Sequence, residues 1–434
     1  MIQIFHYGKK GEKRDYRIKS TFLLLAFFAV LYLIISYSAP MDIQLDSSFV
    51  LTHVKYLSSP KSSETLSKEM QGEVKTQRAK PGYNCPSPGR RSNTEDLLCQ
   101  NPPTYLPNFK NPCFYDKSGD KPYLRCLPYF HIFGVCKTGT TDLFTRLVKH
   151  PQVIPNKEFL GKETWYWTWK RYGKNRQEKM PFTSYLDVFD SDKISDMKVS
   201  NQDHSLYSDI ITGSGDPMDF WDHTQWKLIP QNNISQSEPD YTAPNLIKHM
   251  IPDIKLIVML REPIERLYSH YYHGSFGNDR ESFHRDVISA LETVKKCRQS
   301  FTLRSCLYNQ TIMNQLNVPI YASMYHVHMK TWMDVFPKEQ IHIIRTEDFS
   351  KDLPGHMTDV FKFLDISDVS QNLLQNITAT RHERETQQKK SAGPMFPETR
   401  KILKAFFDKE NRELVKLLND TKFNWEDIFQ TNKN

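Results

Sequence analysis

The chain contains 434 residues, more than a single hydrophobic core normally organises, and we expect one folded domain of about 300 residues with appendages. Its 58 Lys and Arg residues exceed its 50 Asp and Glu residues and give a net charge of +8. The length excludes a small domain with a single small hydrophobic core. The basic excess suits nucleic acid, membrane headgroups or a sulfated polysaccharide, or simply a solvated surface.

The N-terminal region predicts a membrane anchor. Residues 21–38 form an apolar run of 18 residues without a charge, long enough to span a bilayer. Basic side chains precede the run and aspartates follow it, so residues 1–20 are expected in the cytosol. A cleaved signal peptide is the alternative, although the length of the run favours a retained anchor. A flexible stem is predicted over residues 39–111, followed by a lumenal domain over residues 112–434.

The cysteines and the glycosylation sequons predict an oxidising, secretory compartment. Four Asn-x-Ser/Thr sequons occur, at Asn233, Asn309, Asn376 and Asn419. The spacing of the seven cysteines allows three local disulfides, namely Cys85 with Cys99, Cys113 with Cys126, and Cys297 with Cys306. Cys136 is then unpaired, either as a functional thiol or as a small buried residue.

Alternating strand and helix patterns predict an α/β fold. The run "YFHIFGV" (129–135) is typical of a buried strand, and a glycine loop connects it to the helical pattern "TTDLFTRLVKH" (140–150). Two more strands are expected at "IKLIVML" (254–260) and "IHIIR" (341–345). Helical patterns lie between and after them: "ERLYSHYYH", "ESFHRDVISALETVKK", "YASMYHVHMKTWMDVF" and "ETRKILKAFFDKENRELVKLL". The alternation predicts a P-loop-like open parallel sheet flanked by helices.

The glycine loop has the spacing of a phosphate-binding loop. Gly134 and Gly139 match a nucleotide P-loop, but Thr140 and Thr141 occupy the positions where an ATPase has Lys and then Ser or Thr. The lysine, Lys137, lies within the loop instead. Backbone amides ahead of a helix still form an anion cradle, so the loop predicts phosphate binding without ordinary ATP hydrolysis. A plain strand-to-helix turn is the alternative.

A second basic motif, "LREPIERLYSHYYH", follows the buried strand at 254–260. Ligands of open α/β sheets bind at the carboxyl ends of the strands, so Arg261 is expected to face the same crevice as the loop. Its guanidinium can form a forked pair of bonds with a phosphate, and Ser269 can add a hydroxyl from the next helix. Arg266 is expected to be either a further contact or a surface ion-pair residue.

These two motifs together resemble the Golgi carbohydrate sulfotransferases, which use 3′-phosphoadenosine 5′-phosphosulfate (PAPS). "GVCKTGTTDL" is similar to their 5′-phosphosulfate loop and "LREPIERLYSHY" to their 3′-phosphate segment, and "KETWYWTWKRYG" and "WMDVFPKEQIHIIRTEDF" extend the resemblance over residues 113–425. The resemblance implies sulfuryl transfer from PAPS to a glycosaminoglycan hydroxyl, without a metal. The first choice is the 6-hydroxyl of N-acetylgalactosamine 4-sulfate in chondroitin or dermatan sulfate, and another glycan is the alternative.

The resemblance also implies roles for residues. Lys137 would stabilise the charge that develops on the departing phosphate, within a cradle of Thr138, Gly139, Thr140 and Thr141. Glu163 would be the base that deprotonates the acceptor, with Glu158 as its rival. The expected acceptor contacts are Lys162, Trp165, Trp167, Lys170 and Arg171. A basic segment near the C-terminus contains Arg381, Arg384, Lys389 and Lys390. The resemblance implies that it closes over the nucleotide, and a solvated run of charges is the alternative.

Three segments depart from the family pattern. Cys136, Lys137 and Thr138 stand where relatives have Pro-Lys-Cys, and Ser214, Gly215 and Asp216 lie where relatives carry a Gly-Glu-Ala-Ser type sequence. In addition, "GKETWYW" lacks the proline that usually follows the family's glutamate. The last two segments are expected to border the acceptor, so the acceptor is less certain than the reaction. Core positions are expected for Trp332, Phe336 and Trp425, and the scattered histidines are expected to be surface or packing residues.

Two other functions are alternatives. A lumenal kinase would need a lysine after Gly139 and acidic Mg²⁺ ligands at a strand end, and the sequence offers neither convincingly. A membrane-anchored binder of sulfated polysaccharide would use the basic surface without catalysis. The expected partners are a glycosaminoglycan and the Golgi membrane but not nucleic acid, and a homodimer is left open.

Overall fold

The computed structural model describes residues 82–83, 85, 94–200, 206–379 and 387–431. The predicted anchor at 21–38 and most of the predicted stem lie outside these residues. Within the described ranges, no helix combines the length and apolar character needed to cross a bilayer.

The strands of the described residues are β1 (Cys113–Asp116), β2 (Tyr123–Cys126), β3 (Phe130–Gly134), β4 (Val153–Ile154), β5 (Val199–Ser200), β6 (Leu206–Tyr207), β7 (Ile211–Ser214), β8 (Lys255–Leu260) and β9 (Ile341–Arg345). Five of them form a parallel sheet in the order β4-β7-β3-β8-β9. The other four form two antiparallel pairs, β1 with β2 and β5 with β6. The predictions of β3, β8 and β9 are confirmed, whereas β4 and β7 were not predicted.

The α-helices of the same ranges are α1 (Thr140–Leu147), α2 (Phe182–Leu186), α3 (Ser191–Asp196), α4 (Ala243–Met250), α5 (Pro263–His273), α6 (Arg280–Cys297), α7 (Leu303–Leu307), α8 (Gln310–Met313), α9 (Tyr325–Met333), α10 (Thr346–Lys351), α11 (Leu353–Phe363), α12 (Gln371–Ala379), α13 (Gln387–Ala392), α14 (Pro397–Leu418) and α15 (Glu426–Thr431). The predicted helix at 140–150 is α1, and the other helical patterns correspond to α5, α6, α9 and α14. The third of those patterns begins as a 3₁₀ turn, Ile320–Ser323.

The sheet is buried on both faces, which confirms the α/β prediction. Side chains alternate along β8. Leu256 and Leu260 pack on one side with α4 and with the predicted core residues Trp332, Phe336 and Trp425. Ile257 and Met259 pack on the other side against α1 and α11. The strands therefore present only their carboxyl ends to a crevice.

The folded unit begins earlier than the predicted boundary at residue 112. Leu97 and Leu98 form a 3₁₀ turn whose side chains are buried in the same cluster as β8. A disulfide between Cys85 and Cys99 lies next to this turn. The last part of the predicted stem is thus a packed part of the domain.

All three disulfides that the cysteine spacing allows are present in the structure: Cys85–Cys99, Cys113–Cys126 and Cys297–Cys306. The second joins β1 to β2, and Cys136 is a free thiol. The asparagines of all four sequons, Asn233, Asn309, Asn376 and Asn419, are exposed, as glycosylation requires.

Candidate active site

The glycine loop connects the end of β3 to the start of α1, as predicted. Lys137 and Gly139 both have a positive φ, of 69° and 100°, so the loop curls back before the helix begins. The Thr138 hydroxyl donates to the Val135 carbonyl at 2.8 Å within the turn. No side chain among the described residues caps α1 at Gly139, so the first amides of the helix are available to an anion.

Side chains that follow β8 and β9 fix the backbone of this loop. Three successive carbonyl oxygens accept hydrogen bonds from them: Cys136 from Arg266 at 3.3 Å, Lys137 from Arg261 at 3.2 Å, and Thr138 from Thr346 at 2.7 Å. The carboxyl ends of three neighbouring strands therefore meet at the loop, as the sheet topology requires.

Arg266 supports the loop from the interior, which corrects its interpretation as a surface residue. The side chain is fully buried, and it donates to Ser323 Oγ at 2.7 Å and to the Pro319 carbonyl at 2.9 Å. It also lies 2.9 Å from His270 Nδ1. Burial, together with the positive charge of Arg266, lowers the pKa of His270 well below its usual value, so His270 is neutral.

The predicted 3′-phosphate residues lie just after β8, on α5 and on α13. Arg261 is half-buried just after β8, and Ser269 is buried on α5. Lys390 on α13 is exposed. Arg381 and Arg384 fall outside the described residues, so the predicted basic loop is represented by α13 alone.

Lys389 of α13 is linked to α5 through Glu265. It donates to Glu265 Oε2 at 3.2 Å, and Arg400 binds the other carboxylate oxygen. Burial alone would raise the pKa of Glu265, but the Arg400 hydrogen bond and the two positive charges lower it, so this carboxylate stays ionised. Glu265 thus positions two cations beside the helix that carries Ser269.

Glu163 lies in a short loop ahead of the "TWYWTW" run, and its carboxylate is oriented by its neighbours. Lys162 Nζ donates to one oxygen, and Trp165 Nε1 donates to the other at 2.9 Å. The rival carboxylate, Glu158, accepts from Lys170 at 2.9 Å. The Glu163 side chain keeps 14% of its surface exposed, so it remains accessible.

Glu163 and the glycine loop lie at the ends of neighbouring strands, since the loop follows β3 and the Gly215 amide just after β7 donates to the Lys162 carbonyl at 2.8 Å. Burial lowers the pKa of His273; the charge of Lys137 lowers it further, while Glu163 opposes the shift. Burial raises the pKa of the Cys136 thiol, and the negative charge of Glu163 adds to this effect. The thiol is therefore protonated.

Three predicted acceptor contacts are inside the protein, which corrects their assignment. Trp167 is 1% exposed and donates to Tyr185 Oη at 3.2 Å. Arg171 is buried and donates to Tyr166 Oη at 3.2 Å. Lys162 is also buried and reaches Glu163 rather than solvent. None of these side chains offers a surface to a glycan.

A partly exposed aromatic surface lies beside Glu163. We name Phe159, Trp165 and Trp169 the aromatic platform; their neighbouring ring centroids are 5.5 Å and 6.2 Å apart. Phe159 is 53% exposed, and Lys170 Nζ lies 5.8 Å from the Trp165 ring. Phe159 and Trp169 were not predicted, although the aromatic density of "EFLGKETWYWTW" was a usable signal.

One group of possible metal ligands occurs within the described ranges. Ligand atoms of His131, Asp216 and Asp219 lie within 4.8 Å of one another, and all three residues are buried. Asp216 already accepts hydrogen bonds from Thr164 Oγ1 and from the Trp165 amide, each at 2.7 Å. Both carboxylate oxygens of Asp216 are therefore engaged by the segment that contains Glu163. Asp216 itself is fully buried, within the segment that was expected to border the acceptor.

The structure thus holds a glycine loop ahead of a helix at the end of a parallel sheet, and a carboxylate that Lys162 and Trp165 orient. The family described as "Sulfotransferase domain" matches residues 130–413. The chain therefore belongs to the sulfotransferase family, which confirms the resemblance seen in the motifs.

Individual relatives agree with this assignment. Carbohydrate sulfotransferase 15 of Mus musculus is 37% identical over 314 residues, or 70% of this chain and 55% of that protein. Its Homo sapiens counterpart is 33% identical over 376 residues, or 75% and 66%. The chain thus spans about half to two thirds of these relatives. A solved sulfotransferase from Alicyclobacillus acidocaldarius aligns over 68% of this chain and 97% of that one, at 20% identity and a TM-score of 0.41.

Proposed function

We propose that the protein transfers a sulfuryl group from PAPS to a hydroxyl group of a glycosaminoglycan. The observation that carries the proposal is that the Lys137 loop and the segment of Glu163 adjoin the ends of neighbouring strands of one sheet, in a chain of the sulfotransferase family. A base and a cationic cradle in one neighbourhood are the two groups that sulfuryl transfer requires.

The crevice fits a donor that carries two separate anionic ends. Lys137 and the uncapped amides at the start of α1 would hold the 5′-phosphosulfate. Arg261, Ser269 and Lys389 would hold the 3′-phosphate: Arg261 donates to the Lys137 carbonyl of the loop, and Lys389 donates to Glu265 on the helix that carries Ser269. When bound, PAPS supplies an activated sulfuryl group attached to a phosphate that can depart.

The residues of the chain would act on the proton and on the developing charge. Glu163 takes the proton of the acceptor hydroxyl. At the same time the hydroxyl oxygen forms a bond to sulfur, and the bond between sulfur and the 5′-phosphate oxygen breaks. Negative charge grows on the departing phosphate, where Lys137 and the loop amides stabilise it. Lys162 and Trp165 keep Glu163 oriented during the step. The products are a sulfate ester, 3′-phosphoadenosine 5′-phosphate and a proton, which Glu163 later releases.

The aromatic platform supports a carbohydrate acceptor. Exposed aromatic faces stack on the apolar faces of sugar rings, and Phe159 and Trp165 present such faces next to Glu163. Lys170 adds a positive charge at the same edge, which suits a sulfated or carboxylated chain. We propose the 6-hydroxyl of N-acetylgalactosamine 4-sulfate, in chondroitin or dermatan sulfate, as the position that is modified.

We further propose a type II membrane protein of the Golgi. The apolar run at 21–38, with basic residues before it, supports a cytosolic N-terminus and a lumenal domain. Three disulfides and four exposed sequon asparagines suit the oxidising lumen.

The test is transfer of radiolabelled sulfate from PAPS by the full chain to chondroitin, chondroitin 4-sulfate, dermatan sulfate and heparan sulfate. We expect label in chondroitin 4-sulfate and a loss of at least about 100-fold in Glu163→Gln, the loss typical for removal of a general base. Glu158→Gln is the matched control and should retain activity. Nucleotide binding without transfer to any acceptor would contradict the proposed acceptor, and loss of both would contradict the donor site.

A further inference from the structure

The end of β7 is connected to the segment that contains Glu163 by an unbroken set of hydrogen bonds. These are Gly215 N to the Lys162 carbonyl at 2.8 Å, Lys162 Nζ to the Gly215 carbonyl at 2.9 Å, Thr164 Oγ1 to Asp216 Oδ2 at 2.7 Å, and the Trp165 amide to Asp216 Oδ1 at 2.7 Å. The residues on both sides of Glu163 are thus fixed to β7, and Gly215 and Asp216 are buried.

The contacts form a short chain that ends at the carboxylate of Glu163. Lys162 and Trp165 donate to that carboxylate, and both are themselves held by the end of β7. Asp216 bonds the backbone of Trp165, whose side chain then reaches Glu163. A change at Asp216 should therefore alter the direction of Glu163 without touching a substrate.

We propose that Asp216 is a positioning residue for Glu163. Its carboxyl group binds the two residues after the base and so sets the direction of the proton acceptor toward the acceptor hydroxyl. The expected effect on kcat rests on the proposed function, whereas the expected effect on the structure around Glu163 does not. A general base displaced by about 1 Å can cost about 100-fold in rate, which sets the size of the expected effect.

The surroundings of Asp216 indicate which substitution preserves its contacts. The titratable groups that face it are His131 of β3, Asp219 and Tyr185 of α2. Burial and the charge of Asp219 raise the pKa of Asp216 to about 7, while His131 opposes the shift. A neutral group is therefore tolerated here. An amide keeps one oxygen for the Trp165 amide and donates from nitrogen to Thr164 Oγ1, so Asp216→Asn preserves both bonds.

The first test compares kcat and KM of the full chain and its variants. For Asp216→Ala we expect kcat to fall about 100-fold while KM for PAPS changes less than threefold, and we expect Asp216→Asn to recover at least tenfold. Thr164→Val, which removes one of the two bonds, should lower kcat about tenfold and covers the case in which Asp216→Ala does not fold. Thr212→Val is the matched control, because Thr212 is buried in β7 and its hydroxyl has no hydrogen-bond partner among the described residues.

The second test does not depend on activity. Hydrogen exchange of the Trp165 amide should accelerate at least tenfold in Asp216→Ala and remain near the wild-type rate in Asp216→Asn and Thr212→Val. This result would support the positioning role even if no glycan accepted sulfate, which separates the two proposals. Unchanged exchange in Asp216→Ala, or a kcat within threefold of wild type, would overturn the role of Asp216. A large change in KM for PAPS with kcat retained would also overturn it.

Discussion

Replacing Arg266 with methionine should destabilise the domain and loosen the donor loop together. Methionine fills much of the volume but cannot donate, so the Pro319 and Cys136 carbonyls lose the bonds that Arg266 makes at 2.9 Å and 3.3 Å. A buried acceptor left unpaired costs about 1–3 kcal/mol, so two cost about 2–6 kcal/mol. That loss is a large part of a typical unfolding free energy of about 5–15 kcal/mol.

The assay is thermal unfolding of the full chain with and without 3′-phosphoadenosine 5′-phosphate. With an unfolding entropy of about 2.1 cal/mol/K per residue, a loss of about 2 kcal/mol corresponds to a Tm lower by about 3 °C in a domain of about 300 residues. The stabilisation by nucleotide should also shrink, because Arg266 holds the carbonyl of Cys136 next to Lys137.

The matched control is Arg412→Met. Arg412 is exposed on α14, and its loss should change the unfolding free energy by less than about 0.5 kcal/mol. A Tm of Arg266→Met within about 1 °C of wild type would refute the assignment of Arg266 as a buried support. A normal Tm combined with lost nucleotide binding would instead indicate direct contact with the ligand.

Three further predictions follow from single features of the structure. Gly213→Ala places a Cβ 2.3 Å from the Phe130 ring and should destabilise the fold by about 1–3 kcal/mol in denaturant unfolding. Burial lowers the pKa of the His328 imidazole to about 3, whereas its pKa in the unfolded chain is about 6.5. Between pH 7.5 and 5 only the unfolded chain therefore binds a proton at this residue, and the free energy of unfolding should fall by about 2 kcal/mol. His328→Gln should remove this part of the pH dependence. Lys389→Met should weaken binding of 3′-phosphoadenosine 5′-phosphate about tenfold by calorimetry, with an unchanged Tm of the free protein.

Each of these predictions has an outcome that contradicts it. Gly119→Ala is the control for Gly213, because the nearest atom to its added Cβ is 4.0 Å away, and equal stabilities would contradict the close packing. An identical pH dependence in wild type and His328→Gln would show that this histidine is not held neutral. Full nucleotide affinity in Lys389→Met would show that Lys389 serves only its contacts with Glu265 and the Tyr268 ring among the described residues.

The parts of the fold that were predictable from sequence are those with local, repetitive signals. β3, β8 and β9 are short apolar or β-branched runs, and α6 and α14 carry long helical periodicity, so each could be located within a few residues. The glycine loop was found from the spacing of two glycines and a lysine. Such patterns depend on neighbours in the chain and not on the tertiary structure.

The exposure of individual side chains in an aromatic run was not predictable in the same way. In "TWYWTWKR", Trp165 and Trp169 are half-buried while Trp167 is fully buried, and Arg171 is buried although arginine is usually exposed. The interior accommodates Arg171 because Tyr166 Oη and the backbone carbonyl of Glu95 accept hydrogen bonds from its guanidinium group. The Glu95 carbonyl lies 76 residues away in the chain, so no local pattern of residues indicates that Arg171 is buried.

β7 was missed because its neighbour requires small residues. Phe130 of β3 lies opposite Gly213, where the ring occupies the space of a side chain. The next pair joins His131 to Ser214, whose hydroxyl lies 2.8 Å from His131 Nδ1. A strand that must accept an aromatic ring and a buried imidazole is built from Thr, Gly and Ser, and it therefore lacks the apolar run by which strands are recognised. The same strand leads directly to Asp216, which binds the two residues after Glu163. A strand that was not recognised from sequence is therefore the one that holds the segment of the proposed base.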